Sequence, residues 1–232
     1  MAQYENHERL VIFDADGTTI DAFHAIELAF MRHGMALGDL ERFQKRRKLF
    51  KYLGGLRELP TNLRRQFGKQ SRKQLLATLT DVYRDEACLY PGIAPLLGTL
   101  LADPDVRVGL VTRNITNQPA ETLKHLFLRH GLDLGEFDYF ACIPLREEKT
   151  AHLKDARQIF NINPARSYAC GDEYGDYLAA ISAGMHPFVV AYGSEDRARL
   201  TQKFGVPGEV ISSSPTEFSD RLLHALDMAG RI

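Results

Sequence analysis

Four short runs along the chain are dominated by apolar residues: Leu10-Val11-Ile12-Phe13, Val106 to Val111, Tyr168-Ala169-Cys170 and Pro187-Phe188-Val189-Val190. Runs apolar on both faces predict strands of a parallel sheet covered by helices on each side. Between them the pattern turns helical. Leu123, Leu126, Phe127 and His130 share one face of a helix opened by Pro119 and closed by Gly131. Leu153, Ala156, Ile159 and Phe160 form a second stripe, ended by Asn163-Pro164. Tyr174 to Ala183 reads as a short helix stopped by Gly184. Pro215 to Met228 reads as a C-terminal helix with Leu222, Leu223 and Leu226 as its stripe. Strand alternating with helix predicts the α/β class with a doubly wound parallel sheet.

The alternation breaks from about Ala22 to Ala87, where the pattern is helical and holds no convincing strand. Glu41 to Lys73 carries twelve Lys/Arg and two Asp/Glu, a formal +10 in a chain whose total is −1. The asymmetry suggests a helical module inserted after the first strand. A solvated basic helical surface is the equal alternative.

Composition changes this picture little. The chain has 232 residues, 44% hydrophobic and 25% charged, enough for one α/β domain with an insertion. Cys88, Cys142 and Cys170 include no CxxC pair, which argues against a disulfide framework and a zinc site. The first residues lack the layout of a signal peptide, and no apolar stretch suits a membrane span. The expectation is a cytoplasmic protein with no membrane partner.

Candidate chemistry gathers at the strand ends. Asp14-Ala15-Asp16-Gly17-Thr18 follows the first strand directly, at the carboxyl end where open α/β sheets bind ligands. Residues two apart on an extended chain share a side. A calcium loop would need Glu where Ala25 stands. Thr112-Arg113-Asn114 ends the second run, and its hydroxyl and following backbone N–H groups suit a phosphate oxygen. Lys149 opens the helix led by Thr150 and would offset carboxylate repulsion, with Lys154 as a rival. Asp172 and Asp176, in Gly171-Asp172-Glu173-Tyr174-Gly175-Asp176, are spaced to converge at a helix start. Clustered carboxylates favour Mg²⁺ over Zn²⁺.

These pieces, in this order, resemble the haloacid dehalogenase superfamily: DADGT (14–18), LVTRN (110–114), Lys149 and GDEYGD (171–176). The resemblance implies a Rossmann-like core (1–20 and 89–232) and a helical C1 cap (21–88). It implies Asp14 as nucleophile forming an aspartyl-phosphate and Asp16 as general acid/base. Thr112, with Arg113 and Asn114, would hold phosphate, and Lys149 would steady nucleophile and phosphate. Mg²⁺ would be held by Asp14, the Asp16 backbone carbonyl, Asp172 and Asp176, the last directly or through water. Two features depart from the family pattern. Thr19 stands where an aliphatic residue is usual, and Lys149 lacks the Lys-Pro pair common among C1-capped relatives.

Asp16 argues against a dehalogenase, whose leaving halide needs no proton. The reading that follows is a Mg²⁺-dependent phosphomonoester hydrolase, similar to phosphoglycolate phosphatase-like enzymes, acting on a small phosphorylated metabolite. A sugar-phosphate phosphomutase is the alternative on the same core. A non-catalytic or nucleic-acid-binding role for the basic segment is the alternative of another class, disfavoured by the intact catalytic set. Gly54-Gly55-Leu56-Arg57 is a candidate specificity loop or a plain helix connection. Arg46 and Arg47 would draw in an anionic substrate. Monomer and homodimer both stay open.

Overall fold

A computed structural model describes residues 7–35, 53 and 72–230. The strands are β1 (Arg9–Phe13), β2 (Val106–Thr112), β3 (Tyr139–Cys142), β4 (Ser167–Gly171), β5 (His186–Val190) and β6 (Ile211–Ser212). They form one parallel sheet in the order β3-β2-β1-β4-β5-β6. Among the described residues the α-helices are α1 (Ala22–Met31), α2 (Arg72–Asp85), α3 (Ile93–Leu101), α4 (Pro119–Arg129), α5 (Thr150–Ile159), α6 (Tyr174–Ser182) and α7 (Pro215–Ala225).

Strand alternation sorts the core into two faces. Val11, Phe13, Val108 and Leu110 pack with Leu96 and Leu97 of α3, Leu123 and Phe127 of α4, and Phe218 and Leu222 of α7. Leu10, Ile12 and Val111 point the other way, onto Leu153 and Ala156 of α5 and Ala179 and Ala180 of α6. Each large apolar side chain so buried contributes about 1.5–3 kcal/mol. Helices on both faces explain why the central strands read as unbroken apolar runs. The result is the expected Rossmann-like α/β fold, and the turn of strand order beside β1 leaves a crevice at the carboxyl ends of β1, β2 and β4.

The four expected strands and four expected helices are present, with differences in detail. β3, β6 and α3 are additional. Ile159 lies at the end of α5 and is exposed, so only Leu153 and Ala156 of that stripe are buried. The C-terminal helix stops at Ala225, because Asp227 adopts φ 54°, in the left-handed region.

The helical insertion enters through α1 and returns through α2, which pack together. Asp21 caps α1 by accepting from His24 N at 3.1 Å. The two connecting strands of chain are laced side by side. Asp21 N donates to Cys88 O at 3.0 Å, Tyr90 N donates to Thr19 O at 2.9 Å, and Ile20 and Leu89 form an antiparallel bridge. Of the basic stretch Glu41 to Lys73, only Leu53, Arg72 and Lys73 are described. Arg46, Arg47 and the Gly54-Gly55-Leu56-Arg57 loop lie outside the described residues. Among the described residues, no helix is long and apolar enough to cross a membrane.

Candidate active site

The turn after β1 is tight. Ala15 O accepts from Thr18 N, Thr19 N and Ile20 N, and Gly17 makes the turn at φ 83°, which suits glycine alone. Thr19 is fully buried beneath it, and its hydroxyl reaches Asp14 O at 3.2 Å and Ala15 O at 3.1 Å. The threonine that departs from the aliphatic pattern therefore ties down the backbone of the turn.

Asp14 sits just past β1, its N–H held by Cys170 O at 2.9 Å. Its Oδ1 accepts from Ala15 N at 2.8 Å. Its Oδ2 lies 2.8 Å from Lys149 Nζ, and the same ammonium lies 2.8 Å from Asp176 Oδ1. All three side chains are at most a tenth exposed. Lys149, and not its rival Lys154, is therefore the lysine at the strand ends. Asp176 is also tied to its own helix, its Oδ2 accepting from Glu173 N at 3.0 Å.

Asp172 closes the group. Its Oδ2 accepts from Ser194 N at 2.6 Å. It lies against two glycines: a Cβ on Gly17 would come within 2.1 Å of that oxygen, and one on Gly193 within 2.3 Å. A Cβ on Gly171 would likewise meet the Asp176 side chain at 2.3 Å. Carboxylate oxygens of Asp14, Asp172 and Asp176 fall within 4.8 Å of one another.

Asp16 faces elsewhere. Its Oδ1 accepts from the Tyr83 hydroxyl at 2.8 Å and from Asn114 Nδ2 at 3.1 Å, and its Oδ2 accepts from Asn114 Nδ2 at 2.9 Å. The Asn114 amide nitrogen is thus spent on Asp16. Arg113 Nη2 turns to Glu173 Oε2 at 3.1 Å and lies 4.0 Å from Asp176 Oδ1. Only Thr112, of the three residues ending β2, leaves a buried polar atom without a partner: its Oγ1, on a side chain with no exposure. Such an orphan costs stability unless a ligand satisfies it.

The electrostatics follow from burial and crowding. Burial, aided by the Asp14 charge, raises the Asp16 carboxyl to about 7 against the pull of Tyr83 and Asn114. Burial raises Asp14 too, although Lys149 opposes it. Asp172 is raised well above its ordinary value by burial and by the Asp14 charge. Burial would raise Asp176, but Lys149 and Arg113 outweigh it and hold that carboxyl low. Burial would lower Lys149, but Asp14 and Asp176 keep its ammonium charged. Five carboxylates (Asp14, Asp16, Asp172, Glu173, Asp176) face two cations (Arg113, Lys149), a formal excess of three negative charges. Buried carboxylates in excess, with convergent oxygens and no thiol or imidazole among them, fit a hard divalent cation.

Tyr83, Gly193 and Ser194 escape sequence reasoning. Tyr83 reads as a core aromatic, and Gly193-Ser194 as an ordinary turn.

Comparison with known proteins identifies the family. A model of haloacid dehalogenase-like hydrolases matches residues 8–184, and one of HAD-like hydrolases matches residues 147–222. No curated protein matches the sequence closely enough to count as a relative. A protein from Lactobacillus delbrueckii put forward as a phosphoglycolate phosphatase shares 19% identity over 97% of this chain and 99% of its own, with a TM-score of 0.61. One from Thermotoga maritima put forward as a β-phosphoglucomutase shares 22% over 93% and 99%, with a TM-score of 0.63. CbbY from Rhodobacter sphaeroides, solved with phosphate, shares 18% over 95% and 99%, with a TM-score of 0.62. At these identities the structural likeness shows the fold. The family match spans most of the chain and includes the segments 14–18 and 110–114, Lys149 and the segment 171–176, so the chain belongs to the haloacid dehalogenase-like hydrolase family.

Proposed function

We propose that the protein is a phosphomonoester hydrolase acting on a small phosphorylated metabolite through an aspartyl-phosphate on Asp14. The observation that carries this reading is Lys149 Nζ at 2.8 Å from Asp14 Oδ2, beside a second acid, Asp16, whose carboxyl is raised to about 7. A nucleophile charge-compensated by lysine, next to an acid able to hold and release a proton near neutrality, suits phosphoryl transfer. The similar structures support it: one holds phosphate, and others are put forward as a phosphatase and a phosphomutase.

In this reading Asp14, Asp172, the Asp16 backbone carbonyl and Asp176, the last directly or through water, would hold Mg²⁺. That ion would neutralise charge on the carboxylates and on the transferring phosphoryl group. The Asp14 carboxylate attacks phosphorus as the bond to the leaving oxygen breaks, and Asp16 gives that oxygen its proton. Asp16, now ionised, takes a proton from the water that cleaves the acyl phosphate. Thr112 Oγ1 donates to a phosphate oxygen, joined by backbone N–H groups of Arg113 and Asn114. Lys149 stays paired with Asp14 throughout and offsets the charge brought by the phosphate. In the same reading residues 21–88 are the cap segment, and 1–20 and 89–232 are the core. The bridge between Ile20 and Leu89 supports this division.

A panel of phosphorylated metabolites assayed with Mg²⁺, with Asp14→Asn as control, tests the proposal. Free phosphate released by the wild type and not by Asp14→Asn supports it. An isomerised sugar phosphate without free phosphate would assign a mutase. Steeply salt-dependent nucleic-acid binding without turnover would assign the non-catalytic role.

A further inference from the structure

We infer that Tyr83, on the inserted helix α2, and Asn114, after β2, form a two-sided clamp that positions the Asp16 carboxyl for proton transfer. This rests on the phosphatase reading and deepens it, because it makes the acid/base step depend on how α2 is seated.

The geometry carries the inference through three layers. First, the carboxylate is held from two separate segments. Tyr83 Oη donates to Oδ1 at 2.8 Å, and Asn114 Nδ2 reaches Oδ1 at 3.1 Å and Oδ2 at 2.9 Å. Donors from opposite segments leave the side chain little torsional freedom. Second, the Asn114 amide cannot turn over. Its Oδ1 accepts from Thr116 N at 3.0 Å and from the Thr116 hydroxyl, so Nδ2 must face Asp16. Third, α2 is itself pinned against the loop that carries Asn114. Thr80 and Tyr83 are three apart and share a helix face. Thr80 Oγ1 accepts from Asn117 N at 2.9 Å, while Tyr83 reaches Asp16. Arg84 continues the seam, donating to Gln118 Oε1 at 3.3 Å.

Tyr83 is fully buried, so its hydroxyl depends on this partner. A purely packing role would be served as well by phenylalanine. The hydroxyl instead crosses 67 positions of sequence to the residue that must deliver a proton. Tyr83 and Asn114 are positioning residues: neither exchanges the proton, which passes between Asp16 and the leaving oxygen, then between the attacking water and Asp16.

The test compares Tyr83→Phe and Asn114→Ala with wild type, each with Mg²⁺, on two monoesters. One is the most active alkyl phosphate of the metabolite panel, whose leaving alkoxide needs a proton. The other is p-nitrophenyl phosphate, whose phenolate leaves without one, read as the burst of p-nitrophenol. A displaced acid costs about tenfold to a hundredfold in kcat on the alkyl ester, with KM within about twofold. The loss in burst rate on the aryl ester is expected to be at least about tenfold smaller. The double variant is expected to be no worse than the poorer single one, because both act on one carboxylate. Equal losses on the two esters would assign a general structural role and overturn the inference, as would unchanged rates on both. Should Tyr83→Phe fail to fold, Asn114→Ala frees the other side of the same carboxylate and must show the same leaving-group contrast. Wild-type hydrolysis with unaffected variants contradicts the positioning role alone. No hydrolysis of any ester by the wild type contradicts the phosphatase reading, and this inference with it.

Discussion

Lys149 Nζ lies 2.8 Å from Asp14 Oδ2, and the pair is almost wholly buried at the carboxyl end of β1. Removing one partner of a buried pair leaves the other charge uncompensated, and here Asp176 shares the loss. Lys149→Met is expected to lower kcat by about 10²–10³-fold through lost charge stabilisation. In EDTA it is expected to destabilise the fold by about 3–5 kcal/mol. Enzyme assays and chemical denaturation check both. Retained turnover would remove Lys149 from the mechanism.

Gly193 makes room for the Asp172 carboxylate. A Cβ there would come within 2.3 Å of both Asp172 Oδ2 and Gly17 O. Gly193→Ala is expected to displace Asp172 and weaken Mg²⁺ binding about 10–100-fold, as loss of an outer support does in metal sites. Isothermal titration with Mg²⁺ measures this. Unchanged affinity would mean that Asp172 is not a ligand.

Thr112 Oγ1 is buried without a partner. Thr112→Val replaces an unsatisfied hydroxyl with a methyl of similar volume, so stability is expected to hold or rise. Losing a hydrogen bond to an anion is expected to lower kcat/KM by about 10–100-fold. Melting curves and steady-state kinetics read the two effects separately. A normal kcat/KM would leave the hydroxyl without its phosphate role.

The carboxyl shifts set the pH response of the metal-free protein. Asp14, Asp16, Asp172 and Glu173 are raised and Asp176 is lowered. A raised carboxyl binds its proton more tightly in the folded state, so its stabilisation is present at low pH and is lost as pH rises through the folded value. For Asp16 that window runs from 3.8 to about 7. Asp176 acts in the opposite sense, one group against four. In EDTA the melting temperature is expected to fall between about pH 5 and pH 8, and saturating Mg²⁺ to restore it at the upper end. A rise with pH in EDTA, or indifference to Mg²⁺, would contradict the balance of charge described above.

Much of the site is legible in the sequence because its parts lie at the ends of strands that are apolar on both faces. Asp14 and Asp172 each follow such a run, and their order along the chain identifies the superfamily. Elements at the sheet margin are less visible. β3 is a run of only four residues, Tyr139 to Cys142, all half-buried, and β6 has only two. Helix α3 is apolar on most sides and carries Pro95 and Gly98, which blur the helical period. Tyr83 is illegible for another reason. Its partner is distant in sequence, and a buried tyrosine on a helix stripe is ordinarily core. Asn114, expected at the phosphate, is drawn by Thr116 and Asp16 into a role that spacing alone does not reveal.

In the proposed mechanism Asp14 is the group that carries the phosphoryl. Mixing the protein with Mg²⁺ and p-nitrophenyl phosphate, quenching in acid within the first turnover and mapping peptides by mass spectrometry measures this directly. A phosphoryl adduct on the peptide containing Asp14, absent in Asp14→Asn, is the predicted result. Turnover without an adduct on Asp14, together with undiminished hydrolysis by Asp14→Asn, would contradict it.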